Sequence, residues 1–320
     1  MFLEKRGGDA PPIRHSTMLL AGMVLATGIA CASAPAAQQA GQKTFSTAEE
    51  ASQALISALQ ANDETALLQI LGPDAKEIIS SGDPAEDKNN RAAFVEKYRQ
   101  MHRLVVEPDG TTTLYIGAEN WPTPIPLVGK SGVWHFDTPA GKQEILYRRV
   151  GRNELTAIQV CRELVDAEKE YYAQPHDGDG GRQYAQKLFS DPSKHNGLYW
   201  TPGSGETESP IGPLLATAEA EASVHDQNQP PQPFEGYYYR ILTRQSAKAP
   251  GGARSYIIDG KMTGGFAILA YPAEYRSSGV MTFIVSQDGI VYEKNLGSRT
   301  AGIAKNLTGY ERDGTWRKAD

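Results

Sequence analysis

The sequence predicts an α+β protein in two parts, each with helices followed by an antiparallel sheet. Apolar residues recur at helical spacing between residues 48 and 102, and again between residues 154 and 172. After each of these regions, short runs rich in β-branched and aromatic residues are bounded by Gly, Pro, Asn or Asp. Such runs are typical of antiparallel strands and their turns. Helices first and strands afterwards favour an α+β architecture.

The first predicted domain, residues 45–150, opens with three helices. Ser46-Thr47-Ala48-Glu49 is a capping-box pattern that predicts the start of the first helix. Asp63 is the expected cap of a second helix, which ends at Gly72-Pro73 because glycine and proline interrupt helices. A third helix is expected from Asn90 to His102.

A meander of five strands is predicted to complete this domain: Leu104–Glu107, Thr111–Ile116, Ile125–Val128, Val133–Asp137 and Glu144–Val150. Pro108-Asp109-Gly110 predicts the turn between the first two, because proline presets φ and glycine permits a positive φ. The order of the elements resembles the cystatin-like or nuclear-transport-factor-like fold, in which a bent sheet wraps a long helix.

The second predicted domain, residues 151–320, opens with the strongest helical pattern of the chain at residues 154–172. Its expected apolar stripe consists of Leu155, Ile158, Cys161, Val165 and Tyr172. Its expected outward face consists of Glu163, Asp166, Glu168 and Lys169. Cys161 is therefore predicted to be a small buried hydrophobe rather than a nucleophile.

The rest of the second domain is predicted to be loop-rich before it closes in a sheet. The expected elements are a short helix at Arg182–Phe189, a helix at Pro213–Ala222, an extended connector at Val224–Phe234, antiparallel strands between Gly236 and Gly297, and a last helix at Thr300–Leu307. A long helix, an irregular loop and an antiparallel sheet in this order resemble the globular heads of pilins and pseudopilins.

The N-terminus has the pattern of an export signal. An apolar run from Met18 to Ile29 follows several basic residues and is short for a membrane span. Two cleavages remain open: after Ala34, which makes residues 1–34 the signal peptide, or before Cys31, which would then be lipidated. Residues 35–44 are a polar spacer. The expected location is the periplasm or the outer membrane, with membrane contact only through the signal sequence or a lipid anchor.

Composition limits the classes of partner. The formal net charge is −6, with 40% hydrophobic and 22% charged residues. A negatively charged chain lacks the basic surface on which nucleic-acid binding depends, so no nucleic acid is expected. The remaining partners are an unknown envelope protein or a glycan.

Catalytic and metal motifs are sparse. Asp177-Gly178-Asp179 begins like a calcium loop, but Gly181 and Leu188 then stand where further oxygen ligands are needed. The same string is a common turn without a metal. The chain has no His-Glu-x-x-His, Cys-x-x-Cys, nucleophile elbow, P-loop or dinucleotide fingerprint, so no catalytic residue, metal site or cofactor is predicted.

Aromatic residues supply the one candidate ligand groove. Tyr237, Tyr239 and Trp200 lie in Tyr-rich segments that suit stacking on a sugar or peptide. Tyrosine is also common in half-buried strands, so core packing is the alternative explanation.

Several long strings resemble one bacterial family. PIPLVGKSGVWHFDTPAGKQEILYRRV, FSDPSKHNGLYW, GGFAILAYPAEY and SGVMTFIVSQDGIVYEKNLG are similar to the exported proteins grouped as domain of unknown function 2950 (DUF2950). The resemblance runs from about Phe45 to Trp316. It implies export in Gram-negative bacteria and supplies no catalytic residues.

Three functions follow as hypotheses. The first is an exported envelope protein that binds or scaffolds without catalysis. The second is a hydrolase of envelope material that acts through the loops at residues 175–205, with Asp177, Asp179, His176 and His195 near its site. The third is a component of a surface appendage or secretion assembly, which predicts a large exposed apolar patch on the helix of the second domain.

Overall fold

The computed structural model describes residues 38–176, 181–203, 205, 207–212, 214 and 232–319. It confirms the predicted α+β class, with N-terminal helices, a first antiparallel sheet, a long helix and a second antiparallel sheet. Among the helices in these ranges, none is both long enough and apolar enough to cross a membrane.

In the described part of the chain, four α-helices come first: α1 (Ala48–Ala61), α2 (Glu64–Leu71), α3 (Lys76–Ile79) and α4 (Pro84–Gln100). The predicted starts of the first two helices are confirmed, with the cap of α1 at Thr47, one residue after Ser46. The third helix was expected from Asn90 and begins earlier, at Pro84. The Thr47 side chain accepts a hydrogen bond from the Glu50 backbone N–H, and Asp63 accepts one from Ala66. These bonds satisfy donors that a helix start otherwise leaves unpaired. At Asn62 a left-handed backbone with φ of 51° ends α1 and leads directly into α2.

The first sheet is antiparallel. Its strands are β1 (His102–Val106), β2 (Thr112–Ile116), β3 (Trp121–Pro122), β4 (Leu127–Lys130) and β5 (Val133–Phe136). The order is β1-β2-β4-β5, with β3 paired to β2. The predicted turn before β2 is confirmed: Gly110 has a φ of 85° and donates its N–H to the Glu107 carbonyl. Apolar side chains of α1 and α2 pack on Leu127 and Phe136 to form the first core.

The connection between the two halves is a single helix, α5 (Thr138–Ala173), of 36 residues. The predicted strand at Glu144–Val150 is therefore wrong, and the predicted boundary between residues 150 and 151 lies inside a continuous helix. Asp137 caps this helix by accepting the Ala140 N–H, and a proline occupies its first turn. The β-forming residues near position 146 are helical because this strong start precedes them with no break in between.

The second sheet has the order β14-β13-β12-β11-β6 and is also antiparallel. Its strands are β6 (Tyr237–Leu242), β11 (Ala267–Pro272), β12 (Thr282–Ser286), β13 (Tyr292–Lys294) and β14 (Arg317–Lys318). Two short pairs lie between β6 and β11: β7 (Arg244–Gln245) with β8 (Arg254–Ser255), and β9 (Ile257–Ile258) with β10 (Lys261–Met262). The predicted last helix is confirmed as α6 (Thr300–Asn306).

The second core forms where α5 packs on β11 and β12. Ile158, Cys161 and Val165 are buried there as predicted, whereas Leu155 is 68% exposed and does not belong to the stripe. The predicted apolar stripe is therefore wrong at Leu155. This residue lies near the middle of α5, where few other segments cover the helix: a Cβ added to Gly151, one turn earlier, would meet no neighbouring atom.

The predicted helix at Arg182–Phe189 is absent from that described segment. Its backbone forms no helix and makes hydrogen bonds to distant segments: the Tyr184 N–H donates to the Met262 carbonyl, and the Tyr199 N–H donates to the Leu188 carbonyl. These long-range partners satisfy the backbone groups that a helix would have paired locally. Most of the predicted helix at Pro213–Ala222 and of the connector at Val224–Phe234 lies outside the described residues.

Candidate functional site

The first half contains a cavity of about 330 Å³, which we call the N-terminal pocket. Its apolar lining comes from all four opening helices and from the first sheet with its adjoining loops: Leu55, Leu59, Leu67, Leu71, Ile78, Ile79, Phe94, Trp121, Pro124, Ile125 and Phe136. The α1–α2 hairpin presents its leucines in pairs four residues apart, which places each pair on one face of its helix. The pocket is therefore a direct consequence of how α1 and α2 fold onto the sheet.

Arg91 of α4 lies at the polar part of this lining. The residue is 9% exposed, and its guanidinium donates to the Asn62 side-chain oxygen and, at 2.7 Å, to the Ile79 carbonyl. It thereby ties the end of α1 and the end of α3 to α4. Its Nε–H has no hydrogen-bond partner among the described residues.

Two carboxylates, Asp87 and Glu77, line the N-terminal pocket together with Arg91. Asp87 is one turn earlier on α4 and accepts the Ser81 N–H at 2.8 Å. That backbone N–H lowers the pKa of Asp87, and the Arg91 guanidinium contributes a smaller effect in the same direction. Glu77 pairs with Lys142 of α5 at 2.9 Å, and this hydrogen bond lowers the pKa of Glu77. Both carboxylates are ionised at neutral pH, and each has a basic group nearby.

A second cavity of about 290 Å³, which we call the histidine cavity, lies in the second half. It brings together His176 and His195, two residues of the predicted hydrolase site, with Glu170 and Glu208 also in the lining. The ring of Trp200 lies 4.6 Å from that of His195 and 5.8 Å from that of His176.

His176 has a structural role in this cavity. Its ring stacks on Tyr171 at 3.9 Å, and its Nε2 lies 2.9 Å from the Tyr171 carbonyl oxygen. Asp177 and Asp179 lie outside the described residues. Within the described part of the chain, no group of three His, Cys, Asp or Glu side chains is placed to hold a metal ion.

The three residues of the predicted aromatic groove do not form one. Tyr237 is fully buried in the second core and donates its hydroxyl to the Met281 carbonyl at 2.9 Å. Tyr239 packs against the same core, and burial raises the pKa of its hydroxyl. Trp200 is 8% exposed, lines the histidine cavity and donates its indole N–H to the Thr207 carbonyl. Core packing therefore accounts for Tyr237 and Tyr239. Cys31, the predicted lipidation site, lies outside the described residues.

Cys161 is fully buried, and burial raises the pKa of its thiol to about 12. The thiol is neutral at physiological pH and has the weak reactivity of a buried hydrophobe, as predicted. It lines neither the N-terminal pocket nor the histidine cavity.

Glu168 was predicted to face outward and is instead fully buried. Its Oε2 accepts the Ala185 N–H at 2.8 Å, and its Oε1 has no partner among the described residues. Burial raises the pKa of this carboxyl well above its usual range, which favours the neutral acid. Its position seven residues after Cys161 and three before Tyr171 is the signal that places it on the buried face.

The N-terminal pocket was also missed from the sequence. The pattern that indicates it is the pair Asp87 and Arg91, which occupy neighbouring turns of α4 and are both buried. Charged residues are rarely buried in helices without a partner or a function. From the sequence alone the same pair is indistinguishable from a solvent-exposed i,i+4 pair.

The fold and the pocket define a two-core α+β protein with a mostly apolar cavity in its first half. Residues 42–319 match the family described as protein of unknown function (DUF2950), and the chain belongs to that family, as the sequence resemblance indicated. Searches of curated proteins and of solved structures gave no match. The likenesses to cystatin-like, nuclear-transport-factor-like and pilin folds therefore stay predictions.

Proposed function

We propose that this protein is an exported, non-catalytic binding protein whose N-terminal pocket holds a small apolar ligand. One observation carries the proposal: a cavity of about 330 Å³ lined by eleven apolar residues and a small polar segment. Small-molecule sites typically occupy about 300–1,000 Å³ and combine apolar walls with a few polar groups. Each Å² of apolar surface that a ligand removes from water contributes about 25 cal/mol of favourable free energy to binding.

The binding experiment uses Nile red, an uncharged dye that fluoresces in apolar surroundings. We expect saturable fluorescence with the wild-type protein. The variant Leu59→Trp enlarges a partly buried lining residue and should weaken dye binding at least about tenfold, because the larger ring occupies space that the dye needs. Far-UV circular dichroism establishes that the variant is folded.

A matched control makes the same substitution elsewhere. Leu155→Trp alters a leucine of α5 that is 68% exposed and does not line the pocket, so dye binding should equal that of the wild type. The proposal fails if the wild-type protein shows no saturable fluorescence. It also fails if a folded Leu59→Trp variant binds as the wild type does.

Export is the second part of the proposal and is supported by the sequence of residues 1–34. Intact-mass spectrometry of protein from membranes and from periplasm tests it. Loss of residues 1–34 without an adduct supports secretion, and a diacyl or triacyl adduct on Cys31 supports a lipid anchor. An uncleaved chain in both fractions contradicts both routes. The natural partners are then an envelope protein or glycan that supplies or receives the ligand.

A second candidate function is hydrolysis of envelope material in the loops at residues 175–205. Its supporting observation is that His176, His195, Glu170 and Glu208 line one cavity, since imidazole and carboxyl groups can share general acid and base roles. Release of soluble fragments from purified peptidoglycan discriminates the two functions, and the binding proposal expects none.

The appendage hypothesis receives less support. On α5, the large apolar side chains that are exposed are Tyr147 and Leu155, two turns apart with Gly151 between them. This is a narrow stripe and not a broad patch, so the binding function remains our proposal.

A further inference from the structure

We infer that the ligand of the N-terminal pocket is an uncharged amphiphile: a chain or ring system with a hydroxyl, ester or amide at one end. This inference rests on the proposed binding function and narrows it. It follows from where the polar lining residues lie and from how their charges are compensated.

The polar and apolar parts of the lining come from different segments. Apart from Thr123, every polar lining residue belongs to residues 77–91, in α3, the loop after it and the first half of α4. The facing walls, from α1, α2 and the sheet region, are apolar. A ligand that matches both parts carries a polar group at one end and an apolar body at the other.

The charged lining groups of the polar segment lie near groups of opposite charge. Glu77 is paired with Lys142 at 2.9 Å. Asp87 accepts the Ser81 N–H and lies in the field of Arg91, whose Nη atoms bond to Asn62 and Ile79 and whose Nε–H has no partner among the described residues. Among these lining groups and Lys142, the two acidic and two basic charges sum to zero.

An ionic head group at this segment would add an uncompensated charge beside Asp87 and Arg91, both of which are buried. Burying such a charge costs several kcal/mol, whereas a hydroxyl or amide needs only a hydrogen-bond partner. Asn90 lines the pocket with an exposed side-chain amide, which offers both a donor and an acceptor. The lining therefore favours an uncharged head over a carboxylate or an ammonium group.

The test compares three ten-carbon competitors that differ only in head group. Decanol, decanoate and decylamine are titrated at pH 7 against Nile red bound to the wild-type protein. We expect decanol to displace the dye at concentrations at least about tenfold lower than either ion, because an unpaired buried charge is strongly disfavoured. Equal or stronger displacement by decanoate or decylamine overturns the inference and leaves the binding function standing. Absence of saturable dye binding refutes the binding function itself.

A substitution tests the charge argument directly. Asp87→Asn keeps an oxygen that can accept the Ser81 N–H but leaves Arg91 without its neighbouring carboxylate. In this variant the affinity for decanoate should rise at least about tenfold relative to the affinity for decanol. The control Asp166→Asn removes an exposed carboxylate paired with Lys169 on α5 and should leave the preference for decanol unchanged. Retention of the wild-type preference by Asp87→Asn, in protein that still binds Nile red, contradicts the inference.

Discussion

Replacement of Glu168 by glutamine should remove a pH dependence from the stability of the second core. Glu168 is fully buried, and its pKa is raised by burial well above that of an exposed carboxyl. Tyr184, whose hydroxyl pKa is raised by burial and in small part by Glu168, stacks on Tyr172 at 4.5 Å, and neither ring supplies a positive charge. Glutamine keeps an oxygen that can accept the Ala185 N–H and cannot ionise.

The magnitude follows from linkage between protonation and folding. An unfolded glutamate loses its proton near pH 4.3, whereas the folded protein holds the proton to higher pH. The contribution of Glu168 to stability is therefore full below about pH 4.3 and falls as the pH rises toward the folded pKa. The loss is about 1.4 kcal/mol for each pH unit in that window. Within that window, the free energy of unfolding of Glu168→Gln minus that of the wild type should therefore rise by this amount for each pH unit.

Urea denaturation at pH 5, 6, 7 and 8, followed by far-UV circular dichroism, measures this difference. Other titrating groups are common to the two proteins and cancel in the comparison. The control Glu96→Gln changes an exposed carboxyl of α4 and should differ from wild type by a constant amount. A difference between Glu168→Gln and wild type that is the same at every pH would refute the assignment of Glu168 as a buried neutral acid.

Two further predictions concern the same core. Gly279→Ala should lower the free energy of unfolding by about 2 kcal/mol, because the new Cβ would overlap the hydroxyl of the fully buried Tyr237. In the same urea assay Gly302→Ala should raise stability by about 0.5–1 kcal/mol, since that added Cβ meets open space on α6; equal effects of the two changes would contradict the packing. Cys161 should stay unmodified by an alkylating reagent in the native protein at pH 8 and react fully in urea, because its thiol is buried with a pKa of about 12. Peptide mapping by mass spectrometry measures this modification, and rapid native labelling would show that the thiol is accessible.

Local chemistry could be predicted well from the sequence. The helix starts at Thr47 and Asp63 depend on a side chain that bonds a backbone N–H within three residues, so neighbouring residues suffice to predict them. The turn at Gly110 is equally local, since it needs one residue that tolerates a positive φ. The strands of the second sheet were recognisable because their β-branched and aromatic runs are separated by turn residues.

The candidate site could not be predicted to the same extent. The N-terminal pocket gathers residues from α1, α2, α3, α4 and the first sheet, which are separated by up to 81 positions between Leu55 and Phe136. The aromatic groove was predicted from composition, yet burial decides whether a tyrosine packs or binds. Tyr237 is inside the core because its ring packs beside Phe283 and its hydroxyl bonds the Met281 carbonyl, and no feature of the Tyr-rich run specifies these distant partners.

The sequence by itself determined the α+β class, the helix starts at Thr47 and Asp63 and the turn at Gly110, because these depend on periodicity and on contacts within a few residues. Its long characteristic strings also determined the family. Tertiary structure decided the rest. It made residues 144–150 part of a 36-residue helix and kept residues 182–189 out of a helix through hydrogen bonds to distant backbone. It also buried Glu168 and paired Glu77 with Lys142 beside the N-terminal pocket. The physical reason is that burial and charge compensation depend on which distant segments pack together, and these energies outweigh local propensity.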